Sequence, residues 1–150
     1  MSTTFPFPAN PTVGQTVSLA SGQLMAWTGY SWEAVGSSVQ LYDLGGGCTG
    51  VPGASLVLMR YPFPRAAFLP SGLINSQGVA ATAATAQTDF SILKNGVSFG
   101  TMRFAAAGTA ASFIAASQAS FAAGDVLTVV APATPDSTLA NIGFALAGTR

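Results

Sequence analysis

The sequence predicts an all-β chain: an antiparallel β-sandwich of jelly-roll type, preceded by a small β-hairpin module and an extended arm. Three observations predict it. Short runs of β-branched and aromatic residues recur from residue 55 to the C-terminus. Pro, Gly, Asn and Asp stand between those runs as turn signals. No stretch of any length carries the 3.6-residue apolar period of an amphipathic helix.

The strongest local signal is Lys94-Asn95-Gly96-Val97, an Asn-Gly pair between two strand-like runs. Both central residues of a type I′ turn need φ > 0, which Asn and Gly tolerate. A two-residue loop pairs Lys94 with Val97, Ile92 with Phe99 and Phe90 with Thr101 on one face. After Gly100 the large residues, Met102 and Phe104, change parity. That change predicts a bulge there, or a strand buried on both sides.

Around this hairpin the expected strands are Ser55–Arg60, Ala66–Leu69, Val79–Thr85, Phe90–Lys94, Ser98–Ala105, Ala110–Ala115, Val126–Ala131 and Leu139–Ala147. Eight short strands at this spacing suggest a two-sheet sandwich. In Val126–Val130 apolar side chains fall on both parities. Leu127 and Val129 are expected in the core, and Val126 and Val130 at an interface with another subunit. In the last strand Ile142, Phe144 and Leu146 share one face.

Residues 56–150 are therefore read as a β-sandwich trimerisation domain, and residues 1–42 as an anchoring module with its arm. Residues 1–12 carry Pro6, Pro8 and Pro11 and no periodicity, as an extended arm would. Phe5 and Phe7 are its candidate anchors. Within residues 13–36, Ser21-Gly22 and Thr28-Gly29-Tyr30-Ser31 read as turns, and Trp27 and Trp32 flank the second, placed to clasp across it. The intervening 43–55 (DLGGGCTGVPGAS) reads as a flexible glycine-rich linker. Its Gly45-x-Gly47-x-x-Gly50 has the spacing of a dinucleotide fingerprint, but Val51-Pro52-Gly53 follows where a helix would have to begin.

Composition narrows the function. Of 150 residues 49% are hydrophobic and 7% charged, five basic and five acidic side chains cancel, and Ala, Gly, Ser and Thr fill 74 positions. Soluble domains usually carry about 25% charged residues, so much of this surface is expected to lie against other subunits. The lack of net charge offers no electrostatic footprint for nucleic acid. One cysteine, Cys48, and no histidine give no intramolecular disulfide and no basis for a zinc site or other cofactor. The first residues show no signal-peptide pattern. Residues 104–124 carry no charge but are mostly Ala, Ser and Thr, too weakly apolar for a bilayer, so strand–turn–strand is expected.

Catalysis has little to work with. Asp125 and Asp136 are the only plausible pair of carboxylates for glycoside hydrolysis, and each sits at a turn, where Asp commonly bonds local backbone. Nucleophilic catalysis lacks a histidine base. The chain is expected not to be an enzyme.

Two stretches resemble known proteins. P-x-x-G (Pro11, Gly14) followed by W-x-G-x-x-W (Trp27, Gly29, Trp32) resembles a short tag of bacteriophage tail and fibre proteins, over about 25 residues. D-F-x-I-x-K-N-G (Asp89 to Gly96), G-T-x-x-F (Gly100 to Phe104) and G-D-x-L-x-x-x-A-P-x-x-x-D (Gly124 to Asp136) together resemble a β-sandwich domain of phage virion proteins. The resemblance implies a structural virion protein, often a trimer, whose partners are its own copies and a major capsid or tail protein. Two roles are open: a capsid decoration (cement) or head-fibre protein attached by its N-terminal arm, and a short tail-fibre or tail-tip subunit that binds a host surface.

Overall fold

The computed structural model describes residues 7–20, 23–35 and 40–150. The chain divides into two units, Met1–Val39 and Gln40–Arg150. Apart from one 3-10 turn, Ser71–Leu73, the regular structure of the described residues is all β, and the strands pair antiparallel throughout.

The first unit is a three-stranded sheet of β1 (Thr16–Ser18), β2 (Leu24–Trp27) and β3 (Trp32–Ala34) in that order. Its register sets Trp27 opposite Trp32 across the turn Thr28–Ser31. Gly29 takes φ 105°, and the Thr28 hydroxyl accepts from the Ser31 backbone N–H at 3.2 Å. The Ser21-Gly22 turn lies outside the described residues.

The second unit is a sandwich. One sheet runs β10 (Ala111–Ala115), β9 (Val97–Phe104), β8 (Thr88–Lys94), β12 (Val126–Val130), β5 (Val57–Pro62). The other runs β11 (Ala119–Phe121), β6 (Ala67–Leu69), β13 (Ala140–Thr149), β4 (Leu41–Cys48), with β7 (Gln77–Thr82) also paired to β13. Side chains from both fill one core, among them Phe63, Phe90, Ile92, Met102, Phe104, Leu127, Val129 and Leu146, each at most 1% exposed. All eight strands expected from the sequence are present within two or three residues of their predicted bounds.

Three expectations need correction. Residues 43–48, read as part of a linker, belong to β4, which pairs with β13 from Cys48↔Ile142 to Leu41↔Thr149. Gly46 and Gly47 answer to space rather than to flexibility. A Cβ on Gly46 would stand 2.7 Å from the Phe144 ring, and one on Gly47 2.2 Å from the Ile142 carbonyl. With β4 included, the sandwich begins at residue 40 rather than 56.

The hairpin turn forms as expected, with Asn95 at φ 48° and Gly96 at φ 84°, but its register slips. Leu93 pairs with Ser98 and Ile92 with Gly100, leaving Phe99 as the extra residue. The bulge thus precedes Gly100 instead of following it, and Phe90 meets Met102 rather than Thr101. One bulge brings Phe90, Ile92, Met102 and Phe104 onto the same buried face. Burying four large side chains together outweighs one lost ladder position, at about 1.5–3 kcal/mol for each.

The third correction is β11, three residues paired with Leu69, Phe68 and Ala67. Its Ala-Ser-Phe sequence carries too little alternation to stand out. The uncharged stretch 104–124 thus supplies the end of β9, β10 and β11, and no helix among the described residues is long and apolar enough to cross a membrane.

Candidate docking surfaces

The expected anchors of the first unit form an aromatic stack. Pairing of β2 with β3 brings the Trp27 and Trp32 rings to 5.7 Å between centroids at 53°. Phe7 lies on Trp32 at 4.8 Å and 28°. The arm residue therefore docks on the chain's own indole. Phe5 lies outside the described residues. At the turn tip Tyr30 is 95% exposed, a large aromatic that sequence reasoning passed over as a turn residue. No described residue of this unit is fully buried. Its aromatic side chains are only half covered, because three strands of three or four residues cannot enclose a core.

In the second unit, β12 separates its apolar side chains by parity as expected. Leu127 and Val129 are fully buried, while Val126 and Val130 are half-buried on the outer side with Thr128. Exposed Val57, paired with Val130, carries that side to the β5 edge, whereas exposed Ile114 on β10 stands beyond the intervening Ser91 and Thr101.

The two aspartates singled out for chemistry are both committed to turns. Asp125 accepts from the Ala122 N–H at 2.8 Å and the Asn95 amide at 2.7 Å, and pairs with Lys94 at 3.1 Å. The Asn95 carbonyl oxygen in turn accepts from the Val126 N–H, so the hairpin tip and the start of β12 are cross-tied. These bonds, led by the Ala122 N–H, pull the Asp125 carboxyl down to about 2. Asp136 is more heavily held. Its Oδ2 accepts from Thr85 Oγ1, the Thr85 N–H and the Ala86 N–H, and its Oδ1 from Thr138 Oγ1 and the Thr138 and Leu139 N–H groups. The Thr138 and Thr85 hydroxyls contribute most to holding its carboxyl far below the usual carboxylate range. Protonating either group would break such bonds, which is unlike a proton-transfer catalyst working near neutral pH.

Elsewhere Asp89 and Arg103 face each other across β8 and β9 in a bidentate pair, both bonds 2.7 Å. The Tyr42 and Tyr61 hydroxyls are hydrogen-bonded, which raises the Tyr42 pKa, and the Arg150 guanidinium lies 5.0 Å over the Tyr42 ring. Among the described residues no three metal-ligating side chains come together.

Compared with models of protein families, with curated proteins and with solved structures, the chain matches none.

Proposed function

We propose that this chain is a non-enzymatic structural protein of a bacteriophage virion, a capsid decoration or head-fibre subunit attached through its N-terminal unit. One observation carries the reading: no described residue of the first unit is buried, yet Trp27 and Trp32 of its short sheet, Phe7 stacked on Trp32 and Tyr30 at the turn tip gather four large aromatics there. Large, rigid aromatics that a module cannot cover itself are the usual anchors of an interface, since they bury much area at little conformational cost. The sandwich then supplies the body. The crossovers that set β12 between β5 and β8, and β13 between β4 and β7, support its jelly-roll form. Its low charge and half-buried Val126 and Val130 support assembly with its own copies as a homotrimer. The partners are these copies and a major capsid protein; no nucleic acid, membrane or cofactor is involved. The protein acts in the particle, after assembly in the host cytoplasm.

The Trp27–Trp32 clasp favours a second reading, a short tail-fibre or tail-tip subunit, because it carries the motif that resembles a tail tag. Copy number in purified particles separates the two. Hundreds of copies on a stained gel mean a shell protein, a dozen or fewer a tail protein, and none overturns both.

A further inference from the structure

The sheet of β7, β13 and β4 turns Ile142, Phe144 and Leu146 to the core, so the alternate residues of β13 form its outer side. There Gly143, Ala145 and Ala147 run along the middle strand, with Val79 (60% exposed) paired directly beside Gly143 on β7 and Leu41 (83%) beside Thr149 on β4. Beside Leu41 lies a concavity of about 360 Å³ whose walls include Phe68 and Ile74 and whose rim carries Asp43.

Two independent observations bear on what covers this face. The first concerns glycine. Gly46, Gly78 and Gly148 each have a neighbour within 2.9 Å of where a Cβ would stand, so the monomer itself requires them. Gly143 does not fit that account. Its φ lies outside the left-handed range, and an added Cβ would meet nothing within 4 Å. Glycine inside a strand weakens it, and where the chain itself gives no reason for one, the close approach of another backbone is a physical cause.

The second concerns charge. Within the sandwich Asp89 pairs with Arg103 and Asp125 with Lys94, and Asp136 is satisfied by backbone and hydroxyl donors. Asp43, exposed on the outer side of β4, has no partner for its carboxylate among the described residues. Exposed Arg60, Arg65 and Arg150 likewise form no ion pair there, and of the three Arg60 alone lies within a strand, β5. β5 is the edge strand of the opposite sheet, and exposed Leu56 and Val57 stand near Arg60. The edge thus matches the face in character, apolar with one positive charge against apolar with one negative.

We infer that the outer face of β7–β13–β4 is covered by the β5 edge of a second copy of this chain, with the neighbour's Arg60 meeting Asp43. The inference deepens the homotrimer reading and rests on it. Such a contact joins two different surfaces of one chain; repeated, it closes a ring where its rotation allows, a trimer being one such form, and otherwise runs on as an open filament. Gly143 and the alanines beside it keep the face low enough for the neighbouring strand to lie close.

Sedimentation equilibrium on the full-length protein at micromolar concentration tests this with Gly143→Lys. Open space around Gly143 leaves the monomer fold room for the side chain. The native protein should sediment as an oligomer, and the variant as a monomer with an unchanged far-ultraviolet circular dichroism spectrum. A native oligomer with an equally oligomeric variant overturns the face assignment and leaves the assembly reading standing. A native monomer overturns both. Should Gly143→Lys lose its fold, the charge pair decides. Asp43→Arg should weaken association about tenfold or more, and adding Arg60→Asp should restore most of it. A double variant no tighter than the single one contradicts the proposed pairing.

Discussion

Asp136 and Thr85 are 51 residues apart in sequence and joined by two hydrogen bonds onto one carboxylate oxygen, the shorter 2.6 Å from the threonine hydroxyl. The other oxygen holds Thr138 and Leu139, so one side chain locks the β7–β8 loop onto the segment entering β13. Asp136→Ala removes all of these acceptors at once while leaving their donors in place. It should lower Tm more than Asp125→Ala, whose carboxylate accepts two hydrogen bonds and forms one ion pair. Thermal melts of the two variants at neutral pH check the order.

Stability should also fall in acid. The folded-state pKa values of Asp125 and Asp136 both lie below the ordinary 3.8. Their contribution is therefore fully present above that value and is lost as pH falls towards about 2 and below. Native protein should show Tm declining from about pH 4 downwards, and Asp136→Ala should show a shallower decline from a lower start. Equal slopes for the two would mean that Asp136 does not carry the acid sensitivity.

The Asn95-Gly96 turn offers a test of backbone geometry alone. Gly96 sits at φ 84° with nothing within 4 Å of an added Cβ, so Gly96→Val meets conformational strain and no clash. The expected loss is about 1–3 kcal/mol by denaturant unfolding. An unchanged midpoint would show that the turn relaxes to another form.

Gly46 tests the opposite cause. Its φ is unremarkable, but a Cβ there would press on Phe144 and on Met59. Gly46→Val should cost about 1–3 kcal/mol through overpacking. A flexible linker at this position would accept the change without loss, so the same unfolding curve separates strand from linker.

How far the sequence revealed this fold follows from these cases. Ile142–Leu146 declares itself by alternation, which reflects the burial of one face, and Val126–Val130 by its run of β-branched residues. The Asn-Gly turn is legible because few other pairs tolerate its dihedrals. Gly45-Gly46-Gly47 misleads, since a glycine required by the Phe144 ring 98 residues away looks the same in sequence as one chosen for freedom. The bulge at Phe99 was legible only as a change of parity. Its position depends on which pairing buries Met102 and Phe104 together, and that is decided by the opposite sheet. For the candidate surfaces, the Trp27–Trp32 pairing could be read from spacing, whereas the partnerless state of Asp43 needed the positions of every other charge.

The central claim is that the aromatic N-terminal unit fastens this chain to a virion. It is tested most directly by loading purified particles that lack the chain with full-length protein, with protein lacking residues 2–12, and with Trp32→Ala. Bound copies per particle are then counted. Trp32 carries both the Phe7 stack and the Trp27 contact, so its loss should remove the anchor along with the arm. The account predicts saturable loading of the full-length chain and at least a tenfold weaker loading of both variants, with their sandwich spectra and oligomeric state unchanged. Full occupancy by both variants, or no loading by the full-length chain, would contradict it.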